Sequence, residues 1–437
     1  MIRILTFRLL SILFVLMTAG VVRADRPNVV FLLSDDQGWD DYGFMGHPHV
    51  QTPQLDKLAR AGMVYERGYV TAPLCRPSLA SLVTGMYPHQ TGIRGNDPLL
   101  PSGVSRSEEK DKPVSTAFRN RMTAPMLDHP SFVKELKDNG YATLQTGKWW
   151  EGSPLDHGFT DAMTHGDHSR GGRHGDQGLK IGRDTMQPIY DFVDKADAND
   201  QPFFIWYGVF LPHAPHDAPD RLFDKYKDIA PNESTARYWA NIEWLDEGCG
   251  QIVDHLKEKK LYDNTIFVFT CDNGWVADPK RVGGSIRSKR DPVEAGIRTP
   301  IFLTHEGTIA PLRDKTTLAS NIDIATTILE ACGIEPPATM QGLDLRDTET
   351  LNERNRVFVD IYEHDSDLDK LADLDDGLRA RVVIDGWDKL IARPTRNELY
   401  NLENDPDDRK DLSAENPAKV EKLKSMLDQL VGQVTTP

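Results

Sequence analysis

The chain has 437 residues, of which 39% are hydrophobic and 27% are charged, with a net charge of −16 and four cysteines. This length is sufficient for one large domain and a smaller one. The acidic balance argues against nucleic acid as a partner, because surfaces that bind nucleic acid are basic. An anionic substrate would therefore need a local basic pocket.

Residues 1–24 have the pattern of a signal peptide. Arg3 and Arg8 give a positive start, the apolar stretch Leu9–Ala19 is too short to span a bilayer, and Ala24 is a small residue before a cleavage point. We predict an exported protein, periplasmic or extracellular, that begins near Asp25 and has a net charge of −19. After cleavage we expect no membrane association. The alternative is an uncleaved anchor.

Up to about residue 340, apolar runs alternate with amphipathic helical patterns, which predicts an α/β fold with a mainly parallel sheet. Continuous apolar runs predict strands buried on both faces, and apolar residues at helical spacing predict helices. In chain order, the predicted elements are a strand Asn28–Ser34, a helix from Thr52-Pro53 to Gly62, a helix Ser131–Asn139, strands Tyr141–Gln145 and Phe203–Phe210, a helix of about Thr235–Lys259, a strand Thr265–Thr270 and a helix Asn321–Cys332.

The pattern changes from about residue 340. Short strand candidates then follow one another without intervening helices, at Val357–Tyr362, Ala380–Ile384, Lys389–Ala392 and Glu398–Leu402. A helix with one apolar face follows them, formed by Val420, Leu423, Leu427 and Leu430. We therefore predict a large α/β domain at 25–340 and a smaller C-terminal subdomain at 341–437, built from an antiparallel sheet and one helix.

Two polar stretches are predicted to be long loops. Asn96–Asp128 is charged and lacks apolar periodicity, and His165–Arg183 carries six glycines with several histidines and arginines. Long loops in compact enzymes are often lids or substrate walls, and a solvated surface is the alternative. The arginines Arg170 and Arg173 suggest contact with an acidic sugar.

Polar residues follow several of the predicted strands, at the sheet edge where open parallel sheets bind ligands. These residues are Asp35, Asp36, Lys148, His213, Asp272 and Asn273. The carboxylate and amide oxygens among them suit a hard cation, Ca²⁺ or Mg²⁺. An asparagine and the lack of a dense histidine cluster favour one calcium over a two-zinc site. The alternative is a set of structural hydrogen-bonding groups.

Cys75 lies just before Pro77, a residue that is favoured in the first turn of a helix, and Ser78–Val83 continues that helix. The helix N-terminus directs N–H groups and a positive dipole towards residue 75 and towards a bound anion. A reactive group beside a cation is well placed there to attack an anionic ester.

The segment Cys75–Gly85 (CRPSLASLVTG) resembles the signature of type I sulfatases, which belong to the alkaline phosphatase superfamily. That signature reads Cys-x-Pro-Ser-Arg-x-x-Leu-x-Thr-Gly. The segments SDDQG, TGKWW, PHAPH and CDNG also resemble family motifs. The segment Lys289–Pro300 (KRDPVEAGIRTP) resembles the family's Lys-Gly-x-x-x-Glu-Gly-Gly-x-Arg-x-Pro, and Glu398–Pro406 resembles its C-terminal stretch. These similarities follow one another in order over nearly the whole mature chain.

The resemblance implies an alkaline phosphatase-like fold, with a large mixed, mainly parallel sheet between helices and a smaller C-terminal antiparallel sheet with a helix. It implies a sulfuric ester hydrolase acting on a sulfated carbohydrate or an aryl sulfate. A maturation enzyme would convert Cys75 to formylglycine. One Ca²⁺, rather than Mg²⁺, would be held by Asp35, Asp36, residue 75, Asp272 and Asn273. Lys148 and Lys289 would bind the sulfate oxygens, and His213 would protonate the leaving oxygen or contact the sulfate.

The sequence departs from the family pattern at two positions near Cys75. Leu79 replaces the arginine of the signature, and Trp150 replaces the histidine two places after the family's lysine. Either Cys75 is never converted, or the site uses substitutes, for which Arg76 and the histidines of the segment His165–His174 are the candidates. A further alternative is that Leu79 and Trp150 simply fill the space with apolar groups. A catalytically impaired binder of sulfated glycans is therefore the alternative function. Phosphoryl ester hydrolysis is a third reading, although it generally needs a two-metal site rich in histidine.

Overall fold

The computed structural model describes residues 26–280 and 283–432, so the predicted signal peptide lies outside the described residues. The strands are, in chain order, β1 (Asn28–Ser34), β2 (Met63–Tyr65), β3 (Gly68–Tyr69), β4 (Asp97–Pro98), β5 (Ala142–Gly147), β6 (Asp161–Ala162), β7 (Phe203–Gly208), β8 (Thr265–Cys271), β9 (Ile301–Thr304), β10 (Leu312–Asp314), β11 (Ala319–Ser320), β12 (Arg356–Tyr362), β13 (Asp365–Ser366), β14 (Leu378–Asp385), β15 (Asp388–Ala392) and β16 (Asn397–Asn401). The helices are α1 (Pro53–Ala61), α2 (Cys75–Thr84), α3 (Pro88–Thr91), α4 (Lys112–Thr123), α5 (Phe132–Asp138), α6 (Gln187–Ala198), α7 (Asp220–Tyr226), α8 (Glu233–Glu258), α9 (Glu294–Ile297), α10 (Asp323–Ala331), α11 (Thr348–Arg354) and α12 (Pro417–Gly432).

The large sheet has eight strands in the order β10-β2-β9-β8-β1-β7-β5-β6. The five strands from β8 to β6 run parallel, and β9 is antiparallel to both of its neighbours, β8 and β2. This arrangement confirms the predicted mixed, mainly parallel sheet. It also brings the carboxyl ends of β1, β8, β7 and β5 to one edge.

Both faces of the central strand β1 are buried, as its continuous apolar sequence predicts. Val29 and Phe31 face a core shared with α2, α5 and α10, whereas Val30 and Leu32 face a core shared with α1, α6 and α8. This alternation follows from the two-residue repeat of a strand. Each of these buried side chains stabilises the fold by about 1.5–3 kcal/mol.

The small C-terminal sheet is antiparallel, in the order β12-β14-β15-β16, and α12 packs against it through Val420, Leu423 and Leu427. This confirms the predicted antiparallel sheet with one helix, while the boundary at residue 340 stays a prediction. No helix among the described residues is long and apolar enough to cross a membrane.

The prediction of a loop over the whole of Asn96–Asp128 is wrong, because this stretch contains the twelve-residue helix α4. Only Ser115 and Met122 of α4 are buried, so the helix has no apolar stripe that a sequence pattern could reveal. His165–Arg183 contains short 3₁₀ turns but neither an α-helix nor a β-strand.

Candidate active site

The acidic residues meet because β1 and β8 are parallel neighbours in register. Ser34 pairs with Cys271 at their carboxyl ends, so the residues that follow, Asp35 and Asp36 on one strand and Asp272 on the other, are adjacent. The backbone N–H of Asp36 donates to Asp272 Oδ1 at 3.1 Å. Asp36 has φ = 60°, a left-handed conformation that marks a sharp turn after the strand.

Cys75 is the first residue of α2, a fully buried helix that enters from the extended residue Leu74 and ends at Gly85 in the left-handed conformation. Pro77 in the first turn favours this start, as the sequence predicts. Cys75 is 2% exposed. Its Sγ and one carboxylate oxygen from each of the three aspartates Asp35, Asp36 and Asp272 all lie within 4.8 Å of one another.

Two lysines complete this cluster from different parts of the chain. Lys148 follows β5, and its Nζ lies 2.5 Å from Asp35 Oδ1 and 3.0 Å from Asp272 Oδ2. Lys289 places its Nζ 2.5 Å from Asp36 Oδ1 and 3.0 Å from Cys75 Sγ. Both ammonium groups are therefore directed into the acidic cluster.

Asn273 and His213 are the remaining predicted residues, and both contact Asp36. Asn273 Nδ2 donates to Asp36 Oδ1 at 2.8 Å. His213 Nε2 lies 3.6 Å from Asp36 Oδ2. Its Nδ1 lies 2.6 Å from the carbonyl oxygen of Ala214, which can only accept, so Nδ1 carries the proton. The structure thus brings every predicted catalytic and metal-binding residue together at one sheet edge.

The cluster contains three carboxylates but only two ammonium groups, so it has an excess of negative charge. Burial raises the pKa of Asp35, and burial together with the Asp35 charge raises the pKa of Asp272 to about 6. Burial also opposes ionisation of Asp36, but Lys289, His213 and Lys148 together hold its pKa below the usual range. A divalent cation would remove this imbalance.

The donor atoms fit such a cation. Both carboxylate oxygens of Asp35 and the Oδ1 of Asn273 are buried and make no hydrogen bond in the described part of the chain, although Lys148 lies at ion-pair distance from Asp35. Buried polar atoms are normally hydrogen-bonded, and unpaired ones call for an explanation such as an ion. Carboxylate and amide oxygens are ligands that Ca²⁺ and Mg²⁺ prefer.

The cluster opens into an inner cavity of about 250 Å³. It is lined by Leu74, Cys75, Asn96, Lys148, Trp150, Arg173, His174, His213, Lys289, Arg290 and His364. A larger cavity of about 760 Å³ lies beside Trp39 and Trp239 and is lined by none of the predicted site residues. We therefore identify the smaller cavity with the candidate active site, because it contains the reactive groups.

The two departures from the family pattern have different surroundings. Leu79 lies one helical turn after Cys75 and packs in the core at 4% exposure. Trp150 lines the inner cavity, with the Arg173 guanidinium 4.7 Å from its ring centroid and the His174 ring at 5.3 Å. Leu79 thus fills apolar space, whereas Trp150 forms part of the cavity wall.

Arg76 does not substitute for the missing arginine at the cavity. Its guanidinium is buried and pairs with the Glu151 carboxylate at 2.7 and 2.8 Å. Of the loop histidines proposed as substitutes, His165 pairs with Asp176 and His168 bonds Asn120, and only His174 lines the inner cavity.

Asn96, Arg290 and His364 also line the inner cavity, although the sequence did not predict them as site residues. His364 belongs to the C-terminal region of the chain. It lies at the inner cavity because β13 pairs with β4 and because the Asn96 N–H donates to the His364 carbonyl oxygen at 2.9 Å. These two-residue strands leave no sequence pattern. The sequence could have indicated Arg290 as a site residue, because it directly follows the predicted Lys289.

Comparisons with known proteins identify the family of the chain. The family model described as Sulfatase matches residues 27–334, and the model of the N-sulphoglucosamine sulphohydrolase C-terminal region matches residues 286–435. N-acetylgalactosamine-6-sulfatase of Sus scrofa is 31% identical over 366 residues, which are 75% of this chain and 66% of that protein. Human arylsulfatase A is 26% identical over 76% of this chain and 69% of its own length. The chain thus spans about two thirds of these relatives.

Solved structures support the fold. The crystal structure of Ps i-CgsB superposes with a TM-score of 0.73 at 22% identity and covers 93% of both chains. A structure solved with its substrate D-glucosamine-2-N,6-O-disulfate has a TM-score of 0.69 at 19% identity, covering 94% of this chain and 98% of that one. Since the Sulfatase model matches well over half of the sequence, the chain belongs to the sulfatase family of the alkaline phosphatase superfamily.

Proposed function

We propose that this protein is an exported sulfatase that hydrolyses a sulfate ester of a carbohydrate. The observation that carries the proposal is the convergence of three carboxylates, residue 75 and two lysines on one small cavity. The names of the curated relatives, such as N-acetylgalactosamine-6-sulfatase, support a sulfated sugar as the substrate. Export rests on the sequence of residues 1–24.

The proposed cofactors are one Ca²⁺ and a formylglycine derived from Cys75 by a maturation enzyme. Asp35, Asp36, residue 75, Asp272 and Asn273 would hold the ion, which supplies positive charge against the anionic substrate. The hydrated aldehyde supplies an oxygen nucleophile together with a second hydroxyl group for the release of sulfate.

The remaining chemistry belongs to groups that are present in the chain. Lys148 and Lys289 bind the sulfate oxygens and stabilise the charge that develops on them. His213 donates from Nδ1 to the Ala214 carbonyl, which leaves Nε2 to contact the sulfate or to transfer a proton to the leaving oxygen. Trp150 gives the cavity an apolar wall, and the Phe210 ring centroid lies 5.6 Å from Lys148 Nζ.

A binder of sulfated glycans without catalysis is not favoured. Leu79 and Trp150 suggested it, but Leu79 packs in the core, Trp150 lines the inner cavity, and the carboxylates and lysines stay in place. The curated relatives are moreover named as sulfatases.

The proposal is tested by mass spectrometry of the tryptic peptide Gly68–Arg94 from the native host, followed by sulfate-release assays with calcium. Arg76 should resist trypsin because Pro77 follows it. Formylglycine at residue 75, with release that is abolished in Asp35→Ala and Lys289→Ala, is the expected result. An unmodified cysteine with no release from any sulfated saccharide would refute it.

A further inference from the structure

Arg290 directly follows Lys289, at the position where the family motif has glycine. Its backbone φ is 70°, in the left-handed region that glycine adopts readily and that is unfavourable for other residues. The chain therefore keeps a glycine-like backbone conformation but carries an arginine there. Residues held in such conformations cluster at active sites and ligand clamps.

Two backbone hydrogen bonds fix Arg290 next to the reactive residue. Its N–H donates at 2.8 Å to the carbonyl oxygen of Pro73, two residues before Cys75. Its own carbonyl oxygen accepts from Arg379 at 3.3 Å. Lys289, the residue before Arg290, also contacts Cys75 Sγ. These contacts hold the backbone of Arg290 close to the reactive residue.

Arg290 lies between two spaces. Arg290 and His364 line both the inner cavity of about 250 Å³ and an outer cleft of about 540 Å³. Arg290 is exposed, and within residues 26–280 and 283–432 its guanidinium takes part in no hydrogen bond or ion pair. Its donors are therefore available to a ligand that extends from one space into the other.

The other cations that line these two spaces already have carboxylate partners. They pair as Arg106 with Asp365, Lys370 with Asp367, Arg173 with Asp97, Lys148 with Asp35 and Lys289 with Asp36. In the described part of the chain, Arg290 is thus the lining cation whose charge no carboxylate offsets. A negatively charged group would be attracted to this point rather than to the rest of the outer cleft.

We propose that Arg290 determines substrate specificity by binding a second oxyanion, a carboxylate or a further sulfate, on the saccharide whose sulfate ester reacts at residue 75. This inference rests on the proposed function and narrows its substrate class. The planar guanidinium suits bidentate binding of either group. The inner cavity is smaller than the pockets of about 300–1,000 Å³ that hold typical small ligands. It therefore fits a single sulfated sugar ring, with the second anion on that ring or on its neighbour.

Three variants separate charge, shape and backbone conformation. Arg290→Gln removes the charge, Arg290→Lys keeps the charge without the planar fork, and Arg290→Gly restores the residue of the motif. The matched control is Arg170→Gln. The sequence suggested contact with an acidic sugar for Arg170 and Arg173, but Arg170 is exposed, pairs with Asp167 and lines neither space, whereas Arg173 lines the inner cavity.

The probes are N-acetylgalactosamine 6-sulfate, the 4,6-disulfate of the same sugar, and the 6-sulfate linked to a uronate. Binding is measured by calorimetry on the calcium-loaded Cys75→Ala protein, so that affinity is read without turnover, and sulfate release is measured on the unmutated background. We expect at least one doubly charged probe to bind about tenfold tighter than the monosulfate. Arg290→Gln and Arg290→Gly should both remove this preference, since neither has a guanidinium. Arg290→Lys should keep part of it, and Arg170→Gln should leave it unchanged.

Preference for the disulfate identifies a second sulfate as the partner of Arg290, and preference for the uronate probe identifies a carboxylate. Equal affinity of all three probes, or a preference that survives in Arg290→Gln, would overturn the inference. If Arg290→Gln abolishes the binding preference but the unmutated protein releases no sulfate, the proposed hydrolysis is refuted and this inference stands. If the protein releases sulfate but the binding preference does not depend on Arg290, this inference is refuted and the proposed hydrolysis stands.

Discussion

Replacing Lys389 with methionine tests how the small sheet holds the segment that carries Lys289. Lys389 Nζ lies 2.9 Å from Glu294 Oε1 and 2.7 Å from Asp408 Oδ2, and all three side chains are at most 3% exposed. Asp408 also accepts the backbone N–H of Glu294 at 3.0 Å. The triad therefore joins β15 to the start of α9, five residues after Lys289.

Methionine keeps the apolar stem but leaves the buried Glu294 carboxylate without the cation it pairs with. Among the described residues, Asp408 keeps only the exposed Arg287 as a cationic partner, whose Nη2 lies 3.5 Å from its Oδ1. Removing one partner of a buried ion pair costs about 3–5 kcal/mol, so we expect the free energy of unfolding to fall by this amount at pH 7. The matched control is Lys422→Met. Lys422 is 63% exposed and pairs with Asp385 at 3.1 Å, and such exposed pairs contribute at most about 1 kcal/mol.

The loss of stability should shrink as the pH falls. Burial already raises the pKa of Asp408 against the opposing charge of Lys389, and without Lys389 this pKa rises further. The folded state of the variant then binds more protons than the unfolded state, so its stability increases with falling pH. Urea unfolding followed by tryptophan fluorescence at pH 7 and pH 5.5 measures both effects. A loss below about 1 kcal/mol, or a larger loss at pH 5.5, would refute the reasoning.

Three further predictions concern the active site and its support. Calcium at a hundred times its dissociation constant should raise the free energy of unfolding of EDTA-treated protein by about 2.7 kcal/mol, as measured by thermal melts. The same calcium concentration should stabilise Asp35→Asn less. Equal stabilisation of the variant would exclude Asp35 as a calcium ligand. Lys289→Ala should lower sulfate release about 100-fold or more, whereas the exposed Lys315→Ala should not, and equal rates would contradict the assigned role. Arg76→Met should cost about 3–5 kcal/mol in thermal or urea unfolding, because Glu151 remains buried without its partner, and an unchanged stability would contradict this ion pair.

The central strands and their acidic ends could be predicted from the sequence for a simple physical reason. A strand buried on both faces must be continuously apolar, so the first carboxylates after it, Asp35 and Asp272, mark the sheet edge. The structure places strands over Asn28–Ser34 and Thr265–Cys271, almost as predicted.

Other features of the site could not be predicted because they depend on distant partners. Arg76 pairs with Glu151 far along the chain, and an ion pair of this kind leaves no periodic pattern. The helix α4 buries too few apolar residues to show amphipathic spacing. His364 reaches the inner cavity through the two-residue strands β4 and β13, which are too short to show alternation.

The pairing of β13 with β4 also bears on when Cys75 can be modified during synthesis of the chain. Ser366 is made 291 residues after Cys75, and only then can this wall of the inner cavity close. At about 5–20 residues per second, this interval is roughly 15–60 s. Cys75 is almost inaccessible in the folded protein. An enzyme that modifies Cys75 must therefore reach it while the chain is still being made, or before the newly made chain has folded.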